Sequence, residues 1–142
     1  MPSFTTQVPN LQSAGAIVEA RIAVNGHVEE ILRKSGAAVP MPITLTAMID
    51  TGATGSVIRE GLPAQLGLNP VGVTQINTPS STNVQCFEFL LRVVFPNNVI
   101  FETTVIEAPL QGQHIQFLIG RDILQHCVMI CVGYLNQFTL SV

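Results

Sequence analysis

Ionised side chains are scarce in this sequence: 11% of its 142 residues are charged, against about 25% in an ordinary soluble domain. Six Lys and Arg face nine Asp and Glu, a net charge of −3 at pH 7, and the basic residues are scattered along the chain. No basic field exists for a phosphate backbone to answer, which argues against nucleic-acid binding. So thinly charged a surface suits a molecule that covers part of itself with a second copy, and an oligomer is expected. Long apolar runs are also missing. The stretch from Ala37 to Ile49 is interrupted by Pro40, Pro42, Thr44 and Thr46, well short of the roughly 20 apolar residues that span a bilayer, so no membrane association is expected. Met1 to Ala14 has neither a basic flank nor a continuous apolar block and does not read as a secretory signal, which makes a reducing, cytoplasmic location the default.

Cysteine is sparse and odd in number. Cys86, Cys127 and Cys131 cannot all pair within one chain, and the three residues between Cys127 and Cys131 do not match a zinc knuckle, so buried, reduced thiols are expected. The length permits one domain with a real core.

What the chain does contain is extended, alternating sequence. Met1 to Ala14 reads as a polar arm that adds nothing to the core, followed by one domain over residues 15–142. Ile17 to Val24 alternates as a strand, and Asn25-Gly26 signals a hairpin. Glu29 to Lys34 is open to two readings, a short helical turn or the returning strand. Ile43, Leu45, Ala47 and Ile49 share one strand face while Thr44, Thr46 and Met48 share the other. Val57-Ile58 continues the β pattern, and Leu62 to Leu66 forms a helical turn stopped by Gly67. Val73 to Ile76 and Val84 to Phe95 are extended runs joined by a small-residue segment from Asn77 to Asn83, a projecting hairpin. Val99 to Ile106, Ile115 to Ile119, Val128 to Val132 and Phe138 to Val142 complete the strands, with Asp122 expected to cap a short helix running to His126. The expected fold class is all-β, with one or two short helices.

One segment carries chemistry. Met48-Ile49-Asp50-Thr51-Gly52-Ala53 places a carboxylate where an apolar strand breaks into a glycine-containing turn, and open N–H groups in such a turn can hold a carboxylate ionised. Asp50-Thr51-Gly52-Ala53, followed far downstream by Phe117-Leu118-Ile119-Gly120-Arg121-Asp122, resembles the retropepsin-like aspartic protease family over residues 15–142. The resemblance implies an acid-protease barrel with one lobe per chain, closed by homodimerisation, and no cofactor or metal. Proteolysis of this type needs two carboxyl groups sharing a proton, because two like charges about 3 Å apart cannot both ionise. The chain has two aspartates, Asp50 and Asp122. In the family the Gly120-Arg121-Asp122 segment is support behind the active-site loop, so the second carboxylate must be Asp50 of another copy.

Further roles follow from the resemblance alone. Asp50, Thr51 and Gly52 would be the catalytic set, with Thr51 bonding across the two-fold axis. Ala53 and Thr54 would line a trough for an extended peptide, and Asn77, Thr78, Pro79, Ser80, Ser81 and Thr82 would form a flap over it. Gln137 to Val142 is similar to the family's terminal dimer-interface strand, and Met1 to Ala14 is a candidate for self-removal. Two positions depart from retroviral members: Thr54 stands where they carry an acidic partner for Arg121, and the flap tip lacks glycine.

Other readings are weaker. Asp122, His126 and His114 fall short of a metal-ligand set, Ser56 is not in a Gly-x-Ser-x-Gly elbow, and Gly52 and Gly55 have no adjacent Lys to make a phosphate loop. The alternative of a different class is a retropepsin-like dimer that binds or scaffolds peptides without cutting them.

Overall fold

The computed structural model describes residues 2–78, 81–110 and 114–142. Among the described residues ten strands carry the fold: β1 (Ser3–Gln7), β2 (Ile17–Val24), β3 (Ile43–Ile49), β4 (Val57–Arg59), β5 (Gly72–Thr78), β6 (Ser81–Phe95), β7 (Val99–Ala108), β8 (Phe117–Ile119), β9 (Val128–Val132) and β10 (Gln137–Ser141). Short helices α1 (Leu11–Ala14), α2 (Gly26–Lys34), α3 (Leu62–Gln65) and α4 (Arg121–Leu124) connect them. No helix among the described residues is long and apolar enough to cross a membrane.

Seven strands form one sheet in the order β2-β3-β8-β4-β7-β6-β5, and a second pairing of β2 with β6 closes it on itself. β3 with β8 and β4 with β7 run parallel, while the other pairs are antiparallel. The alternation in β2 explains its place: Val18, Ala20, Ile22 and Val24 are buried, whereas Glu19 and Arg21 are exposed. The inward residues of β3, Leu45, Ala47 and Ile49, meet Ile58, Leu91, Phe117 and Ile119 in one core.

A second sheet of three strands, β1-β10-β9, packs against this core. The leading segment is therefore part of the fold, contrary to the expectation of an arm outside the core. Phe4 and Val8 are buried, and the Phe4 ring stacks on Phe95 at 5.4 Å and meets Phe138 edge-on at 6.3 Å. Two large residues in a polar stretch were enough to anchor it, because β1 pairs with β10 over five residues. This pairing also places the tail, β10, between two strands of its own chain.

The Asn25-Gly26 hairpin is replaced by a helix. Asn25 has φ −68°, not the left-handed backbone of a two-residue hairpin turn, and its side chain caps α2 by accepting from Val28 N at 3.0 Å. Its amide donates to Leu90 O at 2.9 Å, so the buried Asn25 ties the helix start to β6. Asp122 is likewise no cap: Gly120 holds that position, and the Asp122 carboxylate is engaged elsewhere. The Leu62 turn, in contrast, ends as expected at Gly67 with φ +69°. Cys86 is buried, Cys127 is half-buried and Cys131 is exposed, the last against expectation. Burial pushes the thiol pKa of Cys86 and Cys127 up.

Candidate active site

Asp50 sits where β3 ends. Its backbone N donates to Ile119 O at 2.9 Å, so the loop leaves the sheet beside the end of β8, and Ala53 N closes the turn on Asp50 O at 3.2 Å. Gly52 N donates to Asp50 Oδ1 at 2.9 Å, which fixes the carboxylate orientation from within the loop. A methyl group at Gly52 would stand 3.2 Å from that oxygen, so glycine leaves the carboxylate face clear. Asp50 is half-buried, and Thr51 and Gly52 are exposed beside it.

The loop is held from behind by the Gly120-Arg121-Asp122 segment. Arg121 N donates to Ala53 O at 2.9 Å, while its guanidinium donates to Thr51 O at 2.8 Å and to Thr54 Oγ1 at 3.2 Å. Arg121 has thus found neutral oxygens where Thr54 denies it a carboxylate. At Gly120 the backbones nearly touch: a methyl there would lie 2.6 Å from the Gly55 carbonyl, so only glycine fits. Asp122 accepts from Ser56 N at 3.1 Å, Ser56 Oγ at 2.7 Å and Ile123 N at 2.9 Å. These donors commit the Asp122 carboxylate to joining the end of the loop to α4.

Beside the loop, a row of half-buried apolar side chains crosses the sheet on its open face. Register pairs Met48 with Leu118, Leu118 with Val57, and Val57 with Ile106. Strand parity puts this row on the side away from Ala47, Phe117 and Ile58, and on the side of Asp50, two residues after Met48. Sequence reasoning did not select these four residues as part of the site. The signal was present at Met48, an apolar residue in the otherwise Thr-bearing face of β3.

The hairpin expected over residues 77–84 exists as β5 and β6. Residues 81–87 of β6 pair with β5 alone, so this end stands clear of the rest of the sheet. Asn77 Oδ1 accepts from Asn83 N at 3.0 Å across the hairpin, and Asn83 takes φ +55°, doing there what a glycine would do. Thr78 and Ser81 are paired through their backbones, and Thr82 is exposed. Pro79 and Ser80 lie outside the described residues. Of the residues singled out in the sequence, Asp50, Thr51, Gly52, Ala53, Thr54, Gly120, Arg121 and Asp122 form one bonded cluster, and the hairpin is a separate element. No group of three or more His, Cys, Asp or Glu side chains among the described residues is placed to hold a metal ion.

Among solved structures, the chain is similar to a retropepsin-like aspartic protease from Rickettsia conorii, with a TM-score of 0.51 and 14% identity over 99% of this chain and 94% of that one. It also matches the EIAV protease complexed with the inhibitor HBY-793, with a TM-score of 0.44 and 24% identity over 58% of this chain and 76% of that one. The retroviral protease-like domain of Ddi1 from Leishmania major gives a TM-score of 0.44 and 15% identity over 81% and 80%. No family model and no curated protein matches the chain. At these identities the likeness is one of fold: an all-β, retropepsin-like architecture.

Proposed function

We propose, from the retropepsin-like fold of this chain and the geometry of its Asp-Thr-Gly loop, that it is an aspartic endopeptidase working as a symmetric homodimer. The observation that carries the reading is the Gly52 N–H bond to Asp50 Oδ1, beside the commitment of the chain's other aspartate, Asp122 on α4, to Ser56 and Ile123. A carboxylate presented with no second one in its own chain has its chemical complement in a second Asp50.

In this reading one Asp50 carboxylate takes a proton from a water held between the pair, and the other, protonated, donates to the scissile carbonyl. The resulting diol collapses as the leaving amine takes up a proton, and no acyl-enzyme forms. Thr51 bonds across the axis to the partner loop, and Arg121 on Thr51 O holds it at the right height. Gly52, Ala53 and Thr54 offer main-chain groups to an extended peptide, which lies along the Met48, Leu118, Val57 and Ile106 row. The hairpin carrying Asn77, Thr78, Pro79, Ser80, Ser81 and Thr82 closes over it and excludes water. A shared proton makes an acidic optimum the expectation.

Two surface features support a second copy here. Thr51, Arg121, Leu124 and Gln125 line a largely apolar concavity of about 310 Å3 directly beside the catalytic loop. In the three-stranded sheet, β1 already receives Asn97 on Ser3 O, whereas the other outer strand, β9, exposes Val128 and Ile130. An apolar outer strand is a ready template for pairing with another chain.

The test is cleavage of an unfolded protein between pH 3 and 7 by wild type and by Asp50→Asn, with sedimentation of both. Expected are a dimer in both cases and cleavage by wild type alone, inhibited by a statine-type mimic. Full turnover by Asp50→Asn, or a stable wild-type monomer, overturns the proposal. Peptide binding by wild type without turnover leaves the non-proteolytic binding module in its place.

A further inference from the structure

A concave space of about 680 Å3 opens at the Met48 end of the apolar row. Ile17, Met48 and Ile115 give it an apolar floor, while Ser13, Thr46 and His114 bring polar groups to it. Its two walls come from segments with no assigned part in catalysis: the end of α1 and the stretch 114–116.

Both walls are held in place. Gln116 N donates to Thr46 O at 2.9 Å, and Thr46 N donates to Gln116 Oε1 at 3.0 Å, a two-point clamp onto β3. From the other side Arg59 Nη2 reaches Ile115 O at 3.4 Å and Leu110 O at 3.5 Å. On the α1 side, Leu11 N donates to Asn136 Oδ1 at 2.9 Å. Gly15 turns the chain at φ +76° so close to the floor that a methyl there would lie 3.1 Å from Met48 Sδ. The space is therefore built by the fold, and the leading segment is what encloses it.

Its chemistry selects a guest. A thioether floor favours a flat ring, since sulfur makes favourable contacts with aromatic edges. A guest ending in hydrocarbon would leave the Ser13 hydroxyl and the His114 imidazole to water alone, whereas a hydroxyl can both donate to and accept from them. A carboxylate is disfavoured because it would give up its hydration against this apolar floor with no Lys or Arg among the described lining residues to meet its charge. The match is an aromatic body with a neutral hydrogen-bonding tip.

We propose that this pocket is a specificity subsite that takes a tyrosine side chain of the peptide, with His114 and Ser13 as the residues that decide between tyrosine and phenylalanine. This rests on the endopeptidase reading, because it is the peptide laid past Met48 that delivers the side chain.

The experiment uses full-length protein and a peptide set in which each position flanking the cleaved bond is varied among Tyr, Phe, Leu and Glu. Both Ser13 and His114 are exposed, so a Ser13→Ala, His114→Ala double variant keeps the fold. Wild type is expected to prefer Tyr over Phe about three- to tenfold in kcat/KM at one position, the scale of one or two hydrogen bonds, with Glu poorest there. In the double variant that ratio falls to about one, while Tyr and Phe both remain better than Glu. Cleavage with no Tyr preference at any position, or a preference the double variant retains, overturns the subsite and leaves the endopeptidase standing. If wild type cleaves none of the peptides nor unfolded protein, both readings fall together.

Discussion

The Ser56 hydroxyl donates to Asp122 Oδ1 at 2.7 Å and accepts from Gly120 N at 3.0 Å, so one buried oxygen joins the end of the Asp-Thr-Gly loop to the start of α4. Ser56 is 1% exposed, and its backbone N also reaches Asp122 at 3.1 Å. The relationship commits the Asp122 carboxylate to a structural bond. Its charge is spent on holding the segment from which Arg121 reaches back to Thr51 and Thr54.

Ser56→Ala removes that oxygen from the buried Gly120 N–H and the half-buried Asp122 carboxylate. Gly120 N loses its acceptor and Asp122 keeps only backbone donors, so unfolding free energy is expected to fall by about 2–4 kcal/mol, the sum of a charged hydrogen bond and an unsatisfied amide. Urea denaturation with an unchanged m-value measures it. A loss below about 0.5 kcal/mol, the range of an ordinary surface change, removes the proposed link between loop and helix.

Acid weakens a different part of the molecule. Arg92 on β6 bridges Glu29 on α2 at 2.9 Å and Glu102 on β7 at 3.0 Å. Hydrogen bonds from Arg33 and then Arg92 hold Glu29 below its ordinary pKa, and the Gly26 N–H, ahead of Arg92, does the same for Glu102. Both folded-state values are depressed, so the stabilisation is present above the ordinary carboxylate value of 4.5 and is lost as pH falls through the folded values. Arg92→Met is therefore expected to lower Tm at pH 7 and to lose less of it between pH 4.5 and 3 than wild type does, an effect read by thermal scans across about five pH values in that range. These groups are partly exposed to solvent, so 1 M salt reduces the difference between the two proteins. Parallel acid limbs for variant and wild type contradict the assignment.

Much of this was legible beforehand, and the misses share a cause. Strict alternation at Ile43 to Ile49 fixed both the strand and the face that leads to Asp50, and Gly67 stopped its helical turn because nothing else tolerates φ +69° there as easily. At Asn25-Gly26 the same dipeptide that opens hairpins also caps helices. The decision lay downstream, in Glu29 with Arg33 and Glu30 with Lys34, two ion pairs at helical spacing. Nothing local marks Phe4 as a core residue within its polar stretch, because the rings it meets, Phe95 and Phe138, lie some ninety and more positions away. The half-buried row from Met48 to Ile106 could not be read at all without register, since it draws on four strands with two parallel pairings.

The position of β10 changes what a dimer must use. Gln137 to Ser141 pairs with β1 on one side and β9 on the other, so the tail has no free edge of its own to offer. On β9 the exposed residues Val128 and Ile130 lie opposite Ser141 and Thr139, on the outward face of the sheet. That strand follows α4 by three residues, and α4 is bonded to the Asp-Thr-Gly loop through Arg121. Ile130→Lys puts a charge on this edge while leaving the 55%-exposed site free to solvate it, so monomer stability is expected to change by less than about 0.5 kcal/mol. The dimer Kd is expected to rise at least about tenfold, equivalent to about 1.4 kcal/mol of association free energy. Activity per chain then falls steeply on dilution and recovers at high protein concentration, a concentration dependence that damage within one protomer cannot imitate. Sedimentation equilibrium on wild type and Ile130→Lys reads the two constants directly, and equal values would place the dimer face somewhere other than β9.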